Sequence, residues 1–223
     1  MASRPAQTEE STDFDDWTFV DLAIWKLVPQ RLGGGIPYIQ RYKDAWVRHH
    51  KLRITASATA QRLPPPLLAG VCWIEVGGDP TFIDTIAYAI RAFDWSGPAW
   101  TDRMTITRRP ERTSFGAVSM QLRTAAQTLG MNPATTTSDQ YNRLAALLAQ
   151  DERNIAIVAR HLRDLAERDG FDDDLPDLSQ DQIRVIGARY NRGAGLSLAQ
   201  IEQNTSYGDF IVRHWGRFER LVR

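Results

Sequence analysis

Apolar residues recur at three- and four-residue steps along most of this chain, the spacing of helices with one buried face. Trp17, Val20, Ile24 and Leu27 set the first such stripe, which Pro29 and the glycines of RLGGGIP interrupt. Ile39, Tyr42 and Trp46 predict a second helix from near Pro37 to the low fifties, and ITASATAQRL a shorter third. Pro64, Pro65 and Pro66 suit a helix start and Gly77-Gly78 a stop, which predicts a helix from about Pro65 to Val76. Thr81 to Phe93 is read as helical. Asp94 to Gly116 carries turn residues and one β-branched patch, MTIT, suited to a small hairpin or irregular loop. Helices follow over Val118 to Leu129, Ser138 to about Gln150, the stretch marked by Ile155, Val158, Leu162 and Leu165 up to Gly170, and Phe210 to Val222. Ser179 with Gln182, and Ser197 with Gln200, have capping-box spacing and open two more. With little strand and no internal repeat, the expected class is mainly α.

One position breaks the pattern. Glu75, in WIEVGGDP, is the only charged residue between Leu63 and Gly78. Leu67, Val71 and Glu75 are spaced by four, so the carboxyl falls on the apolar stripe of its helix. It also sits in the last turn, where burial and the negative end of the helix dipole both favour the protonated form. A general acid working near neutral pH needs that property. The spacing alone fits equally well a side chain that snorkels out at a helix end or caps a nearby backbone group.

Composition narrows the field without naming a function. The 223 residues and 43% hydrophobic content fit one globular domain, and 27 basic against 27 acidic residues give no global field for nucleic acid or an anionic surface. The basic tail RHWGRFERLVR is read first as a solvated helix face. Cys72 is the single cysteine and lies in an apolar run; His49, His50, His161 and His214 lack metal-ligand spacing, so neither a metal nor a cofactor is expected. Residues 1–12 read as a disordered tail and 13–52 as an N-terminal helical extension. The polar, acidic start has no signal-peptide pattern and no segment is long enough to span a membrane.

ATAQRLPPPLLAGVCWIEVGGDP resembles the catalytic segment of the goose-type lysozyme and lytic transglycosylase superfamily. TSFGAVSMQLRTAAQTLG resembles that superfamily's Ser-x-Gly segment leading to a glutamine, NIAIVARHLRDL its following helix, and ARYNRG its Tyr-Asn segment, all in the family's order. The resemblance spans roughly Ile54 to Gly193. It implies a lysozyme-like helical domain over 53–223 that cleaves peptidoglycan between N-acetylmuramic acid and N-acetylglucosamine. By resemblance, Glu75 is the acid that protonates the glycosidic oxygen; Ser114, Gly116 and Gln121 line the sugar cleft, and Tyr190 and Asn191 close it. The chain departs from the family in two places: two extra residues separate Gly116 from Gln121, and Val76-Gly77 stands where a serine more often follows the acid.

Inverting hydrolysis needs a second carboxylate to activate water, whereas the resembled transglycosylases dispense with one because a sugar hydroxyl attacks. Glu111, in RRPERTSFG, is the first candidate because goose-type lysozymes carry an acid ahead of this glycine segment; pairing with Arg108, Arg109 or Arg112 is its structural alternative. Asp79, Asp84 and Asp102 rank behind it, and Arg123 stands near where some goose-type enzymes place an aspartate. Trp73, Trp95 and Trp100 flank these regions but are read as core before sugar platforms. The expected activity is therefore a muramidase, with lytic transglycosylation or non-catalytic peptidoglycan binding as alternatives. The expected partners are a glycan strand and an immunity or inhibitor protein, with delivery to the wall or periplasm by a specialised export route.

Overall fold

The computed structural model describes residues 14–77 and 114–223. Its described elements are α1 (Phe19–Leu27), a 3-10 turn (Gln30–Leu32), α2 (Gly35–His49), α3 (Lys51–Ala60), α4 (Pro65–Glu75), β1 (Ser114–Phe115), β2 (Met120–Gln121), α5 (Leu122–Thr128), α6 (Ser138–Leu148), α7 (Asp151–Arg168), α8 (Gln180–Arg192), α9 (Leu198–Glu202), α10 (Ser206–Arg213) and α11 (Trp215–Val222). The class is mainly α, as the periodicity predicts, and no described helix is long and apolar enough to cross a membrane.

The centre is α4. Every residue from Pro66 to Trp73 is buried, so the helix has no solvent face along this run, and α2, α3, α7, α8, α10 and α11 pack around it. Pro65 at its first turn costs no hydrogen bond that a helix start would otherwise make. Gly70 lets the last two helices close on it: a Cβ there would stand 3.0 Å from Ile211 Cγ2 and 3.1 Å from Phe218 Cδ2. Trp46 and Val47 of α2 join the same core cluster as Leu67, Leu68 and Val71.

Several expected boundaries shift. The helix expected from Val118 starts only at Leu122, because residues 116–119 form a turn joining β1 to β2, with Ser114 opposite Gln121 and Phe115 opposite Met120. Val118 is buried in that turn, where its N–H donates to Asn154 Oδ1 at 2.8 Å. The helix expected over Phe210 to Val222 is two, broken at His214, so that Ile211 and Phe218 both reach Gly70. The basic tail is not simply a solvated face: Phe218 and Leu221 are buried, and Arg217 Nε donates to Asp44 at 3.0 Å. The helix of the second stripe ends at His49, and the third opens at Lys51. The disordered tail, the helix at 81–93 and the MTIT patch lie outside the described residues; the small hairpin seen is at 114–121. Both capping boxes read from the sequence form, with Ser179 accepting from Gln182 N–H and Ser197 from Gln200 N–H.

Two buried contacts fix the region after α8. The Arg189 guanidinium, 2% exposed, pairs with both carboxylate oxygens of Asp169 and donates to Leu196 O at 2.9 Å. Gly187 and Gly208 let α8 and α10 touch backbone to backbone; a Cβ on Gly208 would lie 2.1 Å from Arg184 O. This close crossing brings Tyr207 over α4. Gly208→Ala must therefore push α10 away from α8, at a cost of about 3 kcal/mol, and denaturant unfolding should show a lower midpoint with an unchanged slope.

Candidate active site

Glu75 is the last residue of α4, half-buried between two cavities. The first, about 480 Å³, is bordered by Glu75, Gly116, Asp151, Tyr207 and aromatic side chains of the N-terminal segment, including Trp25 and Tyr42. The second, about 350 Å³, is bordered by Glu75, Gln121, His161, Tyr190, Asn191 and Gly193. Glu75, Ser119 and Asn191 border both, so the carboxyl stands where the two cavities meet. Each volume is in the range of small-ligand sites.

Burial raises the proton affinity of Glu75, and two neighbours oppose it: Tyr207, whose hydroxyl donates to Oε1 at 2.8 Å, and the Lys43 ammonium. Burial is the largest effect, so the pKa lies above the ordinary carboxylic range. The Tyr207 bond leaves Oε2 to carry a proton.

Lys43 holds the end of the helix. Its Nζ donates to Trp73 O at 3.0 Å, Ile74 O at 2.7 Å and Val76 O at 2.5 Å, satisfying carbonyls that a helix C-terminus leaves without intrahelical partners. Burial pushes the ammonium down to about 8, with the Glu75 carboxylate acting in the opposite direction, so it remains charged at neutral pH. Neither Lys43 nor Tyr207 was expected from sequence. Lys43 had a signal of the same kind as Glu75, because it lies four residues after Ile39 and three before Trp46, on the apolar stripe of α2. Tyr207, 132 residues from Glu75, had only the glycine that follows it.

The hairpin turn supplies the facing wall. Gly116 has φ +84, and a Cβ there would lie 2.4 Å from Leu148 O and 2.7 Å from Asn154 Cγ, so the position admits only glycine. Asn154, fully buried, pins the turn through Val118. Gln121 closes β2 exposed to the second cavity. The Tyr190 hydroxyl is buried without a hydrogen-bond partner, and burial followed by the nearby Glu75 charge raises its pKa well above the ordinary phenol range. His161 beneath it, 3.0 Å from Thr128 Oγ1, is pushed by burial down to about 4 and is neutral at physiological pH.

The structure thus gathers Glu75, Gly116, Gln121, Tyr190 and Asn191 around the paired cavities. Ser114 opens β1, two residues ahead of Gly116. Glu111, Asp79, Asp84, Asp102, Trp95 and Trp100 lie outside the described residues. Trp73 belongs to the core: it is 6% exposed, its Nε1 donates to Asp44 at 2.8 Å, and it stacks on Phe210. Among the described residues, no three His, Cys, Asp or Glu side chains gather closely enough to hold a metal ion. No protein-family model matches this chain, nor does any curated protein or solved structure match it significantly.

A raised carboxyl pKa makes the site costly to the fold. Between the ordinary carboxylic range and the raised value, the folded state keeps a proton that the unfolded chain releases, so this group's contribution to stability is lost as pH rises through the folded pKa. Thermal melts of Glu75→Gln should match the native protein at low pH and exceed it increasingly across that window. Lys43→Met should do the reverse to the helix end: with three carbonyls stripped of their donor, chemical denaturation should register a loss of about 3 kcal/mol.

Proposed function

We propose that this protein is a lysozyme-like peptidoglycan glycosidase that cuts between N-acetylmuramic acid and N-acetylglucosamine, with Glu75 as the general acid. The observation that carries the proposal is the placement of one carboxyl of raised proton affinity where two cavities meet, with Gln121, Tyr190 and Asn191 beside it. A glycan strand laid through the cavities would pass its scissile oxygen near Oε2. Glu75 would then give its proton to that oxygen as the bond to C1 breaks. Tyr207 holds the other carboxyl oxygen and so limits the rotation of the acid.

The four family-like segments supply the substrate class, and the cleft supplies the chemistry. Gln121 and Asn191 offer amide donors and acceptors suited to sugar hydroxyl and acetamido groups. The unpartnered Tyr190 hydroxyl lies on the second cavity, where a substrate group could meet it.

Incubating purified peptidoglycan with the protein and weighing the soluble products tests this directly. Glu75→Gln should lower their release by about 1,000-fold while leaving the fold at least as stable. Products with free reducing ends indicate hydrolysis and anhydro ends transglycosylation; full activity in the variant removes Glu75 from the reaction, and binding without cleavage makes the protein a wall-binding one.

A further inference from the structure

On the cavity of about 480 Å³ that Glu75 shares with the hairpin turn, Asp151 is another carboxylate. It is the first residue of α7, and its side chain is 23% exposed, open enough to reach water and enclosed enough to be held in place. The imidazole of His50, fully buried against Trp46, stands beside it, with Nε2 3.0 Å from Asp151 Oδ2 and no hydrogen bond at either ring nitrogen. Negative charge at this position complements the α7 dipole.

The register of Asp151 to the rest of the site is also fixed. One turn along α7, Asn154 binds the Val118 N–H, and Gly116 fits against Leu148 O and Asn154. The hairpin turn and Asp151 are thus held by one helix N-terminus while Glu75 is held by another helix's C-terminus. Asp16, the other described aspartate on this cavity, is exposed and precedes α1.

We infer that Asp151, beside the buried His50, is the base that activates water in an inverting hydrolysis. The inference rests on Glu75 being the acid. Asp151 takes a proton from a water molecule in the first cavity; the water oxygen forms a bond to the anomeric carbon on the face opposite the leaving group. The glycosidic bond breaks, its electron pair stays on the leaving oxygen, and that oxygen receives the proton from Glu75. One water is consumed, the product carries a free reducing end of inverted configuration, and both carboxyls return to their starting states by proton exchange with solvent. Two carboxyls on separate elements that border one cavity of about 480 Å³ suit this mechanism; a nucleophile would have to reach the anomeric carbon directly.

The test uses the full chain and a defined peptidoglycan tetrasaccharide, with anomeric configuration followed by NMR. Asp151→Asn should lower hydrolysis by about 100-fold or more, with the far-ultraviolet dichroism and melting temperature retained. Asp151→Ala should regain turnover in sodium azide, yielding a glycosyl azide of inverted configuration, because the small anion needs no base. That rescue reports on chemistry even if the asparagine variant folds poorly. Asp151→Asn within threefold of the native rate, beside an inactive Glu75→Gln, would overturn the role of Asp151 and leave Glu75 standing. Native products with retained configuration or anhydro ends would overturn it as well. Full activity in Glu75→Gln would remove the acid on which it rests.

Discussion

The Lys43 ammonium bound to three carbonyls at the end of α4 is the contact on which the candidate site depends. A buried helix end gathers the negative end of the helix dipole and unpaired carbonyl oxygens, and here it also carries a carboxyl. One cation answers all three. It satisfies the carbonyls, offsets the dipole, and moderates the proton affinity of Glu75 without reversing the effect of burial. A salt bridge too strong would leave Glu75 permanently ionised, and no cation at all would leave the helix end unpaired. The three hydrogen bonds explain why Lys43 can lie in the core at 8% exposure and keep its charge at neutral pH.

The other walls show backbone approach used in the same way. Gly116 sits where any Cβ would strike Leu148 O, and Gly208 where one would strike Arg184 O. Both close contacts bring a wall of the candidate site to Glu75: the hairpin turn on one side and Tyr207 on the other. The Arg189–Asp169 pair, buried and reinforced by Leu196 O, ties the segment after α8 to the end of α7. Removing one partner would leave the other charge buried and unpaired, so the link resists local opening.

The helices before α4 contribute to both core and cleft. Trp46 and Val47 join the central cluster, Lys43 caps α4, His50 stands beside Asp151, and Trp17, Trp25 and Tyr42 border the first cavity. Their sequence offered only helical stripes, with no segment that the family resemblance reached.

Sequence alone determined most of the helices, because apolar spacing and capping residues act within a few positions: Ser179 and Ser197 cap where their spacing places them. It also singled out Glu75, since a lone acid on an apolar stripe is visible without any neighbour, and the family-like segments that carry Gly116, Gln121, Tyr190 and Asn191. Local pattern failed at Val118 and at His214, where burial against Asn154 and against Gly70 overrode a continuous helical phase. Only the tertiary structure joined Lys43, Tyr207, Asn154 and the His50–Asp151 pair to the site. Their partners lie across helix crossings rather than along a helix, and no periodicity in one segment specifies which residue of another will meet it.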